Sequence, residues 1–98
     1  MILEIATLIV RPGQAEGFEE ALGQARTIIE ASPGFVRLEL RRCIESPSRY
    51  VLLVTWNSVE DHTVKFRQSE AYQKWRGMLH HFYEQPPTVE HYTEPVKW

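Results

Sequence analysis

The sequence has few of the features that would by themselves assign a protein to a structural class. Its 98 residues include one cysteine, Cys43, so no intrachain disulfide and no zinc-binding cysteine pair can form. No apolar run approaches the roughly 20 residues of a membrane-spanning helix. The apolar start lacks the basic region and cleavage site of a signal peptide. We therefore predict one domain, residues 1–98, in the cytoplasm and without a membrane partner.

Neither positive nor negative charge is in large excess. Eleven lysines and arginines nearly balance 13 aspartates and glutamates, and the net charge is −2. A nucleic-acid-binding domain usually carries a basic stripe or patch. Nucleic acid is therefore not a predicted partner.

The first half of the chain reads as strand, helix, strand and strand. Residues 2–11 are rich in Ile, Leu and Val and stop at a Pro-Gly pair, which predicts a strand. Apolar residues recur at three- and four-residue spacing from 14 to about 31, which predicts an amphipathic helix. Alternation over 35–44 and a nearly continuous apolar run over 50–56 predict two further strands.

The second half adds a broken helix and a last strand. Ser58 with Asp61 three residues later is a helix-capping signal, and this helix is predicted to reach about Arg67. Ser69 begins a second segment, whose apolar stripe is Tyr72, Trp75, Leu79 and Phe82. After Pro86-Pro87, residues 88–96 alternate and predict a strand. The order β-α-β-β-α-β indicates an α+β, ferredoxin-like sandwich with an antiparallel sheet.

Strands 1 and 3 are apolar on both of their faces, although one chain has only enough helices to cover one. The residues concerned are Ile2, Leu3, Ile5, Ala6, Leu8, Ile9 and Val10, then Val51, Leu52, Leu53 and Val54. Strands of this kind are normally buried on both sides. A second copy packed sheet to sheet, as a two-fold homodimer, would cover the remaining face.

Several short motifs resemble the antibiotic biosynthesis monooxygenase family. They are "SPGF" before strand 2, "WNSVED" leading into a helix, "SEAY", and "PPTVEHY" at the end. The resemblance implies a dimeric α+β barrel with a pocket in each protomer between sheet and helices. It implies oxygenation by dioxygen of a small aromatic, quinol-like molecule, with no flavin, metal or haem as cofactor. The protein would supply an apolar cavity, a proton acceptor and donors to the phenolate.

Haem degradation, known among similar proteins, is not predicted. Members with that activity carry an Asn on strand 1, a Trp in helix 2 and an iron-ligating His near that helix's end. The matching positions here are Ala6, Phe66 and Arg76, and the Phe66 match requires a one-residue shift. An arginine has no lone pair for iron, although His80, one helical turn beyond Arg76, could in principle substitute for the missing ligand.

Two residues are candidates for catalysis. His62 lies four residues before Phe66, so it shares a helix face with an apolar residue and could accept a phenol proton. The alternative is a surface histidine beside Glu60 and Asp61. Arg76 could hold an anionic substrate oxygen or carboxylate if it points inward. If it points outward, it is an ordinary solvated charge.

His80 and His81 form a conspicuous pair, but they point about 100° apart on a regular helix and cannot jointly bind one metal. We interpret them as favourable charges in a solvated last turn, and no metal site is predicted. The resemblance implies the following substrate-binding residues: Ala6, Trp56, Phe66, Tyr72, Trp75 and Leu79. Two further functions stay open, a non-catalytic small-molecule-binding dimer and an isomerase of a small metabolite.

Overall fold

The protein folds as a four-stranded antiparallel sheet with its helices on one face, seen in a computed structural model that describes residues 1–98. The elements are β1 (Ile2–Ile9), α1 (Ala15–Glu30), β2 (Phe35–Arg42), β3 (Arg49–Trp56), a π-helix (Asp61–Phe66), α2 (Glu70–Leu79), a 3-10 turn (His80–Phe82) and β4 (Thr88–Tyr92). The strand order is β2-β3-β1-β4. This topology confirms the predicted ferredoxin-like fold.

The last strand is shorter than the sequence predicted. It ends at Tyr92, which pairs with Leu3, whereas the alternating pattern continued to residue 96. Because β1 begins at Ile2, little of β1 remains to pair with a longer β4. Pro95 also has no N–H to donate to a ladder.

The helical region after β3 begins as predicted and then departs from α geometry. Ser58 Oγ accepts a hydrogen bond from the Asp61 N–H at 3.3 Å, which confirms the predicted cap. The N–H of Arg67 then donates to the carbonyl of His62 at 3.0 Å, a five-residue spacing. Ser69 Oγ accepts from the Tyr72 N–H at 3.1 Å and starts α2.

Alternation along the strands sends one set of side chains towards the helices. The even-numbered residues of β1 and β3 lie in this core, whose fully buried members include Val54, Trp56, Phe18, Phe66 and Leu79. The odd-numbered residues lie on the opposite face, where Leu3, Ile5, Ile9, Val51 and Leu53 form a half-buried apolar stripe. In this single chain nothing packs on that stripe, which we call the open face.

Charged side chains border the open face. Arg37, Glu39 and Arg41 of β2 lie beside Thr55, Leu53 and Val51 of β3. Within the chain, Arg41 Nη2 lies 3.4 Å from Glu39 Oε1. The open face is thus an apolar stripe with a polar edge. No helix in the structure has both the length and the apolar character needed to cross a bilayer.

The turn before β2 is built around a glycine that no other residue can replace easily. Gly34 has φ +82°, a conformation that costs other L-residues roughly 1–2 kcal/mol. A Cβ at this position would collide with the side chain of Asp61, which is buried at the start of the π-helix. Gly34 also accepts a hydrogen bond from the Asn57 N–H at 2.8 Å. The turn therefore holds the π-helix against the end of the sheet.

Replacing Gly34 by alanine should lower the free energy of unfolding by at least about 2 kcal/mol, since it adds backbone strain to a steric overlap. Gly23→Ala is the matched control, because Gly23 is exposed in α1 and an added Cβ there meets nothing within 4 Å. That control should raise stability by about 0.5–1 kcal/mol. Urea unfolding of the three proteins measures both effects, and equal stability of Gly34→Ala and the parent would contradict the role of the turn.

Candidate functional site

A cavity of about 220 Å³ lies between the helix-facing side of the sheet and the π-helix with α2. We call it the inner cavity. Its apolar wall consists of Ala6, Leu8, Leu52, Phe66, Trp75, Pro87 and Val89. Its polar lining consists of His62, Arg67, Tyr72, His80 and Tyr83. Apolar walls with a few convergent polar groups are typical of small-molecule sites.

A carboxylate lies behind one end of this cavity, in the middle of an otherwise apolar strand face. Glu4 belongs to the same helix-facing series of β1 as Ala6 and Leu8, and only 5% of its surface is exposed. Its neighbour across the sheet on β4 is His91. A carboxyl group in this position must find polar partners, because burying it without them is costly.

Glu4 finds those partners in Trp56 and His62. The indole Nε1 of Trp56, at the end of β3, donates to Glu4 Oε1 at 2.9 Å. His62 Nε2 lies 3.4 Å from the same oxygen. The imidazole of His62 also stacks on the Trp56 ring, with centroids 5.4 Å apart and an interplanar angle of 20°. We call Glu4, Trp56, His62 and His91 the polar network.

His91 completes the polar network at its half-buried end. Its Nε2 lies 2.8 Å from Nδ1 of His62. Both ring nitrogens of His62 therefore have protein partners, and the contact with Glu4 is the longer of the two. His62 can take up a proton from another molecule only when one of these contacts opens, and the longer contact is the weaker one.

Burial shifts the ionisation of this network in opposite directions for its acid and its base. Desolvation raises the pKa of Glu4 to about 7, although the hydrogen bond from Trp56 and the charge of Arg67 act against this. Desolvation, with the charges of Arg67 and His91, lowers the pKa of His62 to about 3. Near neutral pH the imidazole is uncharged and the carboxyl group is poised between its two forms.

The 3-10 turn after α2 brings a second histidine to the inner cavity. His80 is half-buried and lines the wall, whereas His81 is exposed. The prediction that both lie in a solvated last turn is therefore wrong for His80. The reason is that the α-helix ends at Leu79 and the tighter 3-10 turn rotates the next residue inward. Burial, with the charges of Arg76 and Arg67, lowers the pKa of His80.

Arg76 sets the tautomer of His80. Its Nε donates to His80 Nδ1 at 3.4 Å, a long contact across one helical turn. A neutral imidazole that accepts at Nδ1 carries its proton on Nε2. His80 Nε2 then is a donor, and it joins the Arg67 guanidinium and the hydroxyls of Tyr72 and Tyr83 around the cavity.

The structure separates the predicted site residues into two groups. Those that line the inner cavity are His62, Ala6, Phe66, Tyr72 and Trp75. Trp56 lies outside the wall and holds Glu4 and His62 in place. Leu79 is fully buried in the core, and Arg76 is exposed beside the cavity, so neither lines it. The substrate contacts predicted for Trp56 and Leu79 are not supported.

Sequence reasoning missed Glu4, Arg67 and Tyr83. A signal existed for Glu4, because it interrupts the apolar even-numbered series of strand 1. None existed for Arg67, since its orientation depends on the π-helix that precedes it. No group of three or more His, Cys, Asp or Glu side chains has the arrangement of a metal site.

Comparison with known proteins agrees with this architecture. The family model described as antibiotic biosynthesis monooxygenase matches residues 1–78. The chain belongs to the antibiotic biosynthesis monooxygenase family. The uncharacterised protein YczJ of Bacillus subtilis (strain 168) is 43% identical to this family member over 94 residues, covering 96% of this chain and 99% of YczJ.

Solved structures of the family superpose closely on this member. A Bordetella bronchiseptica protein, provisionally assigned as an antibiotic biosynthesis monooxygenase, has a TM-score of 0.94 and 39% identity, over 97% of both chains. A point mutant of SnoaB from Streptomyces nogalater, a cofactor-independent oxygenase, has a TM-score of 0.80 over 98% of this chain and 94% of its own. At 18% identity, SnoaB shares the fold with this family member.

The raised pKa of the buried Glu4 carboxyl group predicts how the stability of the protein depends on pH. Between pH 4.5 and about 7 the folded state retains a proton on Glu4 that the unfolded chain has released. Stability conferred by Glu4 is therefore full below pH 4.5 and is lost as the pH rises through about 7. The unfolding free energy of the parent minus that of Glu4→Gln should fall by about 3 kcal/mol over this range.

Chemical denaturation of both proteins at a series of pH values measures this difference. The depressed pKa of His62 acts with the opposite sign, since its stabilisation is full above pH 6.5 and is lost towards pH 3. His62 is present in both proteins, so to first order its effect cancels in the difference. A difference that stays constant from pH 4 to pH 8 would show that folding does not raise the pKa of Glu4.

Proposed function

We propose that the protein is a cofactor-independent monooxygenase that acts on a small aromatic, quinol-like molecule bound in the inner cavity. The observation that carries this proposal is the pairing of an apolar cavity with the polar network behind it. The apolar wall can accept an aromatic ring. The volume of about 220 Å³ suits a molecule with one to three rings. Membership of the antibiotic biosynthesis monooxygenase family supports a reaction with dioxygen at this site.

The proposed reaction needs an electron-rich substrate in its anionic form. Loss of a phenol proton leaves a phenolate that can pass an electron to dioxygen. Recombination of the two radicals forms a peroxide at a ring carbon that bears hydrogen. That carbon then loses its hydrogen as a proton while the O–O bond breaks. One oxygen atom stays on the substrate as a carbonyl, and the other leaves as water with the phenol proton and the proton from that carbon. The substrate supplies all the electrons, so atoms and charge balance without a redox cofactor.

The His62–Glu4 pair is the proposed proton acceptor. His62 contacts the cavity, and the carboxyl group of Glu4 lies 3.4 Å behind its Nε2. An imidazole whose own pKa is depressed holds a proton poorly, but an ionised Glu4 beside it stabilises the imidazolium or takes the proton. Trp56 and His91 hold the pair in place through their hydrogen bonds.

The phenolate formed in this way would be stabilised by other polar groups of the lining. Tyr72, Tyr83 and His80 Nε2 can each donate a hydrogen bond, and Arg67 adds a positive charge. These donors lie in an apolar cavity, where hydrogen bonds to an anion are stronger than in water.

Oxygen uptake by the metal-stripped protein with hydroquinones, dihydroxynaphthalenes and anthrones, corrected for autoxidation, tests the proposal. We expect saturable uptake that His62→Ala and Glu4→Gln each lower by roughly 10²-fold, the usual worth of a positioned base. His81→Ala is the matched control, since His81 is exposed outside the inner cavity. No uptake across the panel would overturn the oxygenase proposal and favour a binding protein or an isomerase.

The pH profile assigns the acceptor. Because the pKa of Glu4 is raised to about 7, kcat/KM should rise with pH through about 7 as the carboxyl group ionises. Glu4→Gln should remove this inflection and leave only the ionisation of the substrate. An unchanged inflection in Glu4→Gln would assign the acceptor to another group.

We also propose that the protein is a homodimer that pairs two open faces. The apolar stripe of Leu3, Ile5, Ile9, Val51 and Leu53 is continuous across the two central strands and bordered by charges. Stripes with a polar rim are typical of protein interfaces. Burying the stripe in a second copy would remove the largest exposed apolar surface of the sheet.

Sedimentation equilibrium at micromolar concentration tests the dimer. The parent should sediment as a dimer, and Leu53→Lys should shift it to the monomer because a charge would be buried in the interface. Ile44→Lys is the control, since Ile44 is 89% exposed in a turn away from the open face. A monomeric parent, or a dimeric Leu53→Lys, would contradict the proposed interface.

A further inference from the structure

A second, more polar depression lies next to the inner cavity. His80, Tyr83 and Pro87 line both spaces, so the two are adjacent. The second space, which we call the outer cavity, has a volume of about 370 Å³. It adds Arg11, Arg76, Glu84, Gln85 and Pro86 to the lining. A ligand that fills the inner cavity can therefore extend a substituent into a polar environment without leaving the protein.

The charges along this path are mostly positive. Arg67 is the one charged side chain that lines the inner cavity, given that the depressed pKa values of its two histidines leave them neutral. In the outer cavity Arg11 and Arg76 outnumber Glu84. Glu4 lies behind the wall and lines neither space. The combined lining carries three guanidinium groups and one carboxylate.

These guanidinium groups form no ion pair with a carboxylate of the protein. None of Arg11, Arg67 and Arg76 has a carboxylate oxygen within 4 Å. The Nε of Arg11 donates to the His81 carbonyl at 3.2 Å, which leaves its terminal nitrogens free. The Nε of Arg76 likewise donates to His80 Nδ1, which leaves the terminal nitrogens of Arg76 free.

Three of the five other arginines differ in this respect, whereas Arg37 and Arg49 also lack a carboxylate partner. Arg26 lies 3.5 Å from Glu30, and Arg41 and Arg42 also have glutamate partners, at 3.4 and 4.0 Å. The two arginines of the outer cavity thus present terminal nitrogens, which are the atoms that bind carboxylates in pairs. Their Nε contacts fix the orientation of those nitrogens.

We propose that the two cavities form one site for an aromatic acid. The ring system lies in the inner cavity with its phenolic oxygen among the donors, and a carboxylate substituent lies in the outer cavity between Arg11 and Arg76. This inference rests on the proposed function for the aromatic part of the ligand. It adds that the natural substrate carries a permanent negative charge in addition to the phenolate formed during reaction.

Anaerobic binding of two matched ligands tests this proposal. 6-Hydroxy-2-naphthoate and 2-naphthol share the ring and the phenol and differ in the carboxylate, which lies at the far end of the ring system from the hydroxyl. Quenching of tryptophan fluorescence reports binding, because Trp75 lines the inner cavity. We expect the naphthoate to bind roughly tenfold more tightly than the naphthol at low salt, the usual value of one charge-assisted contact. The preference should decline as salt is added.

Arg11→Gln should reduce the affinity for the naphthoate about three- to tenfold and leave that for the naphthol unchanged. Arg76→Gln should reduce the affinity for the naphthoate more than that for the naphthol, since Arg76 also contacts His80. Both side chains are exposed, so these variants should fold, which circular dichroism checks. Arg26→Gln, on α1 and away from the cavities, is the matched control and should change neither affinity. Equal affinity for the two ligands, or a naphthoate preference that survives in the Arg11→Gln, Arg76→Gln double variant, would overturn the proposal.

The binding measurement is independent of turnover, since oxygen is absent from it. A naphthoate preference that depends on the arginines supports the aromatic-acid site even when no oxygen uptake is seen. Conversely, an oxygenase that consumes neutral quinols and binds both ligands equally retains the proposed function and loses the inference.

Discussion

A carboxyl group buried on the helix-facing side of a β-strand must be satisfied by its neighbours, and the rest of the site depends on how this is done. Glu4 is satisfied by Trp56 from β3 and His62 from the π-helix, and His62 in turn contacts His91 of β4. One polar network thereby connects three strands to the helical segment that covers them. Removing Glu4 would leave the buried indole N–H of Trp56 without its acceptor and His62 with His91 alone, so the network helps to position the π-helix as well as the groups beside the cavity.

The cavity is chemically asymmetric as a result. In the proposed reaction the side nearest Glu4 takes up a proton, whereas Tyr72 of α2 and His80 of the 3-10 turn act as hydrogen-bond donors. A molecule placed between them would lose a proton on one side and be stabilised as an anion on the other. This arrangement suits the phenol of the proposed reaction, and the ionisation of its groups is set by burial.

The fold could be predicted from the sequence because its signals are local. Period-two and period-3.6 patterns, the cap at Ser58 and the Pro-Gly pairs define the six main elements. The site could be predicted less well because it depends on non-local geometry. His80 enters the cavity because α2 gives way to a 3-10 turn, and Arg67 does so because a π-helix precedes it. Glu4 could have been identified from the sequence, because a charge in an apolar strand series is itself a signal. Its partners could not, because they lie 52 and 58 residues away along the chain.

The π-helix has a consequence for how relatives are compared with this chain. Its five-residue hydrogen bond, from Arg67 to His62, accommodates one residue more than an α-helical turn does. Aligning a relative whose helix is regular at this point would require a single-residue gap within residues 61–66. The one-residue shift needed to match Phe66 with the family's tryptophan is of this kind. Equivalences taken from a gapless alignment would be displaced by one position through this segment, so roles are transferred safely here only by superposition.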